Sequence, residues 1–252
     1  MRSYLSPVLD LIYPPRCPSC LKLTEDGDFC ARCARLLPAI GRHICRRCGQ
    51  PVPTTVDDCR DCRGRELYFD TARAAWTFEG PARDVIHAYK FANQKSLAPA
   101  LARYLTPLMG SGRAIDTGLI ARPDPNVLKA EAATFLITWV PLTRRKTWNR
   151  GYNQAKLLAF NLAGATGIPA TALLTRVRAT EDQSRLNGRA RRTNIKGVFG
   201  PTESALIAGA DIVLVDDVYT TGSTAAECSK TLKDAGAASI RVVTLARSMT
   251  HG

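Results

Sequence analysis

From residue 68 onward, apolar and polar positions alternate between a strand-like and a helix-like period. Residues 68–80, "YFDTARAAWTFEG", mix β-forming side chains and end at a Gly-Pro break, which predicts a strand or hairpin. In "ARDVIHAYKFANQ" the helical period places Val85, Ile86, Tyr89 and Phe91 on one face. Residues 97–109 read as another helix, and "SGRAIDTGLIARPDP" as loop. The apolar run "TFLITWVPL" (134–142) predicts a strand, followed by a basic loop and a helix over 154–165. "ADIVLVDD" predicts a second strand, whose consecutive Ile212, Val213, Leu214 and Val215 suit a parallel sheet covered on both faces. Ala225, Cys228, Leu232 and Ala235 then recur at helical spacing, with Gly236 as C-cap, and "SIRVVTLAR" predicts a further strand. Alternation of this kind builds an α/β sheet with its ligands at the C-terminal strand ends.

Residues 1–65 carry no such periodicity, so the chain divides into a module over 1–65 and a domain over 66–252. The first module is defined by cysteine. Eight of the nine cysteines form four C-x-x-C pairs, Cys17/Cys20, Cys30/Cys33, Cys45/Cys48 and Cys59/Cys62, separated by nine, eleven and ten residues. A structural Zn²⁺ takes four thiolates in a tetrahedron, and each C-x-x-C turn delivers two of them. Four such turns suit two closed sites, paired in series or interleaved. Closed sites leave no open position for catalysis, and four evenly spread pairs exceed what thiol exchange needs. His43 is surplus to the ligand count, and Cys228 falls on an apolar helix face as a core residue.

The segment "MRSYLSPVLDLIYPPRC" is broken by Asp10, Pro14 and Pro15, which predicts a short docking helix and no signal peptide. No run of about 18 apolar residues predicts a membrane span, which makes the cytoplasm the default location.

The net charge is +13, and its distribution matters more than its size. Residues 143–156 hold five basic and no acidic side chains, and residues 176–196 hold seven basic and two acidic. Two segments thus supply +10 of the +13, a local field suited to a polyanionic ligand.

The most specific chemistry lies in Asp216-Asp217-Val218-Tyr219-Thr220-Thr221-Gly222-Ser223-Thr224, between a buried strand and a helix. Successive backbone N–H groups converge at such a turn, the hydroxyls add donors, and Gly222 lets an oxyanion approach. No Walker lysine and no G-x-G-x-x-G is present, which removes the main support for a nucleotide triphosphatase. Two carboxylates beside a phosphate would repel it unless the same ligand offered them hydroxyls or a metal ion. A sugar phosphate with a free diol and bound Mg²⁺ meets both demands.

This stretch resembles the phosphoribosyl-pyrophosphate (PRPP) motif of type I phosphoribosyltransferases. Nearly the whole chain resembles the ComF family of competence-related, phosphoribosyltransferase-like proteins. The resemblance is carried by the cysteine module after "LIYPPRCPSC", by Arg150-Gly151-Tyr152-Asn153-Gln154, and by Gln183, Arg191, Asn194 and Phe199 in "TEDQSRLNGRARRTNIKGVF". It implies an α/β fold, a type I phosphoribosyltransferase-like parallel sheet flanked by helices, preceded by a small N-terminal zinc-ribbon domain. By the same resemblance, Asp216 and Asp217 would hold the ribose hydroxyls and residues 220–224 the 5′-phosphate. The loop with Arg144 and Arg145 would face pyrophosphate. Gln183, Arg185, Arg191 and Asn194 would belong to a mobile flap. The implied ligands are PRPP with Mg²⁺, and up to two structural Zn²⁺. Nothing in residues 66–135 looks like the base-recognition elements of the purine or orotate enzymes, so the acceptor stays open.

Two functional readings follow. In one, the protein is a transferase that passes phosphoribosyl from PRPP to a nitrogen acceptor. In the other, the link to DNA transformation implied by the family makes it a DNA-handling protein with single-stranded DNA or a DNA-uptake helicase-type protein as partner, and the PRPP site is regulatory or vestigial.

Overall fold

The computed structural model describes residues 14–110, 135–178, 195–202 and 204–249. Its centre is a parallel sheet of β1 (Thr71–Thr77), β2 (Phe135–Trp139), β5 (Asp211–Tyr219) and β6 (Ser239–Arg247), in the order β1-β6-β5-β2. Register is continuous across it: Trp139 pairs with Val215, Val215 with Val243, and Ala74 with Thr244. Because all four strands run the same way, their C-terminal ends share one edge. A separate two-stranded antiparallel sheet joins β3 (Leu174–Arg176) to β4 (Phe199–Pro201).

Successive side chains of β5 point to opposite faces, and both faces are buried. Val213 and Val215 join one core with Trp76, Ile137 and Leu245. Ile212 and Leu214 join the other with Ile240 and Val242. The first core is covered by α2 (Gly80–Phe91), α3 (Ala98–Arg103) and α5 (Gln154–Thr166). The second is covered by α7 (Ser223–Asp234), the β3–β4 pair and the short α6 (Ser204–Ile207). Cys228 lies fully buried on α7, as its spacing predicts.

Three elements differ from the sequence expectation. The helix expected over 97–109 is broken into 3₁₀ turns at Lys95–Leu97 and Thr106–Met109 around α3, where Pro99 and Pro107 each remove a backbone donor. The basic segment after β2 is a helix, α4 (Arg144–Arg150), because the Thr143 hydroxyl accepts the Lys146 N–H at 3.1 Å and nothing breaks the turn before Gly151. Phe91 does not join the buried face of α2. Ala82, Val85, Ile86 and Tyr89 are buried there, whereas Phe91 is 64% exposed, about 200° around the helix from Tyr89. The N-terminal segment expected as a docking helix and the loop over 111–125 fall outside the described residues.

The cysteine module, which holds the short α1 (Ala31–Leu36), is packed onto the sheet. Phe29 meets Trp76 of β1 edge-on at 6.0 Å and Tyr104 at 5.6 Å, and Arg103 bonds Asp26 at 2.5 Å and Asp28 at 3.0 Å. The ion pairs are half exposed and contribute little, so the ring burial dominates. Phe29→Ala is expected to lower unfolding stability by about 3–5 kcal/mol, read as a fall in the urea midpoint. An unchanged midpoint would show that the first cysteine cluster is not anchored through this ring.

Candidate functional site

Ladder bonds to β6 carry β5 through the acid pair, with Asp216 opposite Thr244, so both carboxylates sit in the strand and not in the following loop. Adjacent strand positions face opposite ways. Asp217 meets Lys90 of α2 at 2.9 Å, with both side chains largely buried, while the Asp216 carboxylate accepts the Asp217 backbone N–H at 2.8 Å. Burial, reinforced by the charge of Asp217, pushes the Asp216 carboxyl up to about 7, against the opposing pull of the Asp217 N–H, Lys90 and Arg150.

The chain turns through Thr220, Thr221 and Gly222 into α7. Gly222 caps that helix at φ +73°, and a Cβ there would sit 2.6 Å from Cζ of Tyr219. Glycine is therefore required both by the backbone angle and by the ring beneath it. The Thr221 and Ser223 hydroxyls are 2.8 Å apart, the Thr221 hydroxyl accepts the Ser223 N–H at 3.4 Å, and the first turn of α7 begins at the same place.

The Arg150–Gln154 stretch works as a clamp on α2. The Tyr152 hydroxyl donates to the Tyr89 carbonyl, the Tyr89 hydroxyl donates to the Gln154 carbonyl at 2.9 Å, and the Gln154 amide donates to the Lys90 carbonyl at 3.3 Å. Asn153 caps α5, accepting the Lys156 N–H at 3.1 Å, and donates to the Val140 carbonyl at 3.1 Å. These bonds fix the end of α2 that carries Lys90. Lys90 was not legible beforehand: a lysine beside a buried tyrosine on an amphipathic helix looks like any solvated one.

The acid pair, Lys90, Arg150, Thr220 and Thr224 open on one cleft of about 1240 Å³. Among the described residues its walls carry seven lysine and arginine side chains, including Arg144, Arg145 and Arg150 of α4, against the two carboxylates. Of the basic 176–196 segment, Arg176 and Arg178 line the cleft; Gln183, Arg185, Arg191 and Asn194 lie outside the described residues. The structure thus brings Asp216, Asp217, Val218, Thr220, Thr224, Arg144 and Arg145 to one space, whereas Tyr219, Thr221, Gly222 and Ser223 shape the turn beside it without lining it.

The cysteines pair in series. Cys17, Cys20, Cys30 and Cys33 form one cluster and Cys45, Cys48, Cys59 and Cys62 the other, each with its sulfurs within 4.8 Å of one another. Sulfurs 2.3 Å from a tetrahedral Zn²⁺ stand about 3.8 Å apart. Cys20–Cys30 at 3.7 Å, Cys45–Cys62 at 3.8 Å and Cys48–Cys59 at 3.6 Å match that edge, so both clusters fit a closed structural zinc site.

The second cluster also touches the turn before α7. Arg65 donates to the Thr221 carbonyl at 2.9 Å and to the Asp61 carbonyl at 3.1 Å. Arg247, 2% exposed, donates to the Cys48 carbonyl and lies 5.0 Å above the Tyr219 ring.

Comparison with known proteins agrees with this architecture. The double zinc ribbon domain family matches residues 8–63, and the phosphoribosyl transferase domain family matches residues 150–251. DNA utilization protein YhgH of Salmonella typhi is 34% identical over 95% of this chain and 100% of its own length. Competence protein F of Haemophilus influenzae is 31% identical over 92% of this chain and 97% of its own, and competence protein ComFC of Bacillus subtilis 26% identical over 90% and 87%. Among solved structures, the glutamine PRPP amidotransferase of B. subtilis is similar at 18% identity and a TM-score of 0.34, and the match spans 71% of this chain but only 30% of that one.

The fold is therefore α/β, a type I phosphoribosyltransferase-like parallel sheet flanked by helices and preceded by an N-terminal double zinc ribbon. The chain belongs to the ComF family, with competence protein F and YhgH as relatives. Among the described residues no helix is long and apolar enough to cross a membrane.

The raised carboxyl has a measurable consequence. Between its unfolded value of 3.8 and its folded value of about 7, Asp216 binds more protons in the folded chain, so its effect is to lower stability as pH rises through that window. Asp216→Asn is expected to raise the Tm at pH 8, with the gain shrinking towards pH 4. Calorimetric scans in which variant and parent run parallel across that range would contradict the assignment.

Proposed function

We propose that this protein binds PRPP with Mg²⁺ and transfers its phosphoribosyl group to a nitrogen acceptor. The observation that carries the reading is the meeting, in one cleft, of a carboxylate pair, a hydroxyl-rich turn at a helix start and a wall of arginines. Each part suits a different part of one ligand. Ionised Asp216 and Asp217 accept hydrogen bonds from the ribose diol, and Lys90 holds Asp217 in place. Residues 220–224 receive the 5′-phosphate through backbone N–H groups and hydroxyls. Arg144 and Arg145 face the pyrophosphate, where guanidinium groups give paired phosphate contacts.

Displacement at the anomeric carbon builds positive charge on the ribose and negative charge on the departing pyrophosphate. Catalysis of such a step rests on positioning and electrostatic stabilisation more than on a strong base. Mg²⁺ would neutralise phosphate charge, and an acid pair combined with the ligand's own oxygens is a donor set that it accepts. The segment around Gln183, Arg185, Arg191 and Asn194 would close over the site and keep water from the donor. Residues 1–65 form the scaffold in this reading, and residues 66–252 form the transferase unit.

Replacing Asp216 and Asp217 together by Asn is expected to abolish PRPP binding in titration calorimetry while leaving the circular dichroism spectrum unchanged. In the parent, because Asp216 has to ionise, PRPP affinity should fall about tenfold between pH 8 and pH 6. Undiminished binding by the double variant would sink the reading.

A second reading is favoured by α4. Trp148 is 89% exposed there, among Arg144, Arg145, Lys146 and Arg150. A cationic helix face with an open ring suits single-stranded nucleic acid, and relatives carry the names competence protein and DNA utilization protein. In this reading the PRPP site serves regulation. Trp148→Ala is expected to weaken oligothymidylate binding about tenfold, by fluorescence anisotropy. Loss of Arg144 and Arg145 should flatten the slope of log affinity against log salt by about 1.4. Oligonucleotide affinity indifferent to all three changes would place DNA elsewhere or nowhere.

A further inference from the structure

We propose that Arg65 and Arg247 are positioning residues for the turn over 220–224, and that through them zinc in the second cysteine cluster and a ligand at the turn strengthen each other's binding. The inference rests on the reading of that turn as the phosphate subsite and names what sets its strength.

The two arginines reach the turn from opposite ends of the chain. Arg65 lies three residues past Cys62, and its backbone N–H donates to the Cys62 carbonyl at 3.0 Å. Its guanidinium donates to the Asp61 carbonyl at 3.1 Å and to the Thr221 carbonyl at 2.9 Å. One side chain thus ties the knuckle that carries Cys59 and Cys62 to a peptide 156 residues away. Arg247 does the same for the other knuckle. It donates to the Cys48 carbonyl, its Nη1 stands 3.7 Å from the Cys48 sulfur, and its guanidinium lies 5.0 Å from the centre of the Tyr219 ring, against which Gly222 packs. Phe69 meets the same ring edge-on at 6.2 Å.

The peptide that Arg65 grips is the one that matters to an anion. The Thr221 carbonyl and the Gly222 N–H belong to one planar trans unit and point in opposite directions. A guanidinium on the carbonyl therefore turns the Gly222 N–H away from the cysteine module and polarises it as a donor. An anion on that N–H in turn makes the carbonyl a better acceptor for Arg65. Linkage of this kind is reciprocal: whatever zinc contributes to affinity for the anion, the anion contributes to affinity for zinc.

Zinc enters because little else holds the knuckles. Residues 45–62 form no helix, and their pairing is confined to isolated bridges such as Cys45–Val56, so their order comes from sulfur–metal bonds. Four thiolates around one Zn²⁺ leave two negative charges, which Arg247 balances in part from outside the ligand shell. The first cluster is placed differently. Its Phe29 packs on Trp76 and Tyr104, and Cys17 and Cys33 belong to the core on the other face of the sheet, so zinc there is indifferent to the ligand.

The test is competition for zinc between the full zinc-loaded chain and TPEN, a chelator that takes zinc and leaves Mg²⁺, under reducing conditions, with PRPP binding read separately by calorimetry. Saturating PRPP and Mg²⁺ should raise the chelator concentration that withdraws one of the two zinc equivalents by about fivefold or more, and leave the other unchanged. Arg65→Met should abolish that protection while keeping both equivalents, and should lower PRPP affinity by about the same factor. Arg65→Lys, which keeps a cation, should restore part of both. Arg103→Gln, beside the first cluster, should leave the protection intact. Equal withdrawal with and without bound PRPP, equal protection of both equivalents, protection that persists in Arg65→Met, or its loss in Arg103→Gln would each overturn the proposal. Should Arg65→Met fail to hold two zincs, Arg247→Lys takes its place, and undiminished protection in that variant overturns the proposal. Failure of the parent to bind PRPP would overturn the proposed function and this inference with it, an outcome that calorimetry separates from PRPP binding without linkage.

Discussion

The four-stranded parallel sheet has to be covered on both faces, since both sides of β5 are apolar. Helices do this only in part, and each cysteine cluster completes one side. Cys17 and Cys33 join the core that contains Val213 and Val215, and the four cysteines of the second cluster join the one that contains Ile212 and Leu214. The module that lacks periodicity in the sequence is therefore a pair of lids, held in shape by metal-ligand geometry where a short chain has too little core of its own.

From this arrangement the second cluster gains a bearing on the ligand site. Arg247, at the end of β6, is buried inside the protein, and its cost of burial is offset in part by the Cys48 carbonyl and the face of Tyr219, its Nε having no hydrogen-bond partner among the described residues. Tyr219 in turn is the ring against which Gly222 packs, and Arg65 holds the carbonyl of Thr221. The turn before α7 is thus gripped from below and from the side by residues that the cysteine knuckle positions. If the turn receives phosphate, as proposed, it benefits from such rigidity, because N–H groups already aimed at an anion lose little freedom when it arrives.

What was legible in the sequence is what periodicity and spacing record. The strands ending near Trp139, Tyr219 and Arg247, the helix over α5, and the eight ligating cysteines could all be read, because each repeats at a period set by backbone geometry. Three things could not. The series pairing of the cysteines depends on how the knuckles fold back, which spacing leaves open. The helical state of residues 144–150 depends on one hydroxyl cap at Thr143. Lys90 and the clamp from Arg150 to Gln154 depend on contacts between segments more than 60 residues apart. Phe91 is the instructive case: apolar identity suggested core, and only the angle around α2 shows that it faces the cleft.

The electrostatics of the cleft contain a last point. Among the described residues seven cations line it, yet the Asp216 carboxyl is pushed up to about 7, which would be contradictory if all of those cations served the acid pair. Most of them do not. Lys90 touches Asp217 and, with Arg150, pulls the Asp216 carboxyl down against its burial, while Arg144 and Arg145 stand exposed on α4, where water screens them from the carboxylates. On the proposed reading, the charges suit a ligand that spans them, one whose anionic end reaches the arginines and whose neutral hydroxyls reach the acids. A molecule with only one of those ends would leave half of this cleft uncompensated, so the separation of charge along its walls selects for length and polarity in the ligand before any single hydrogen bond is made.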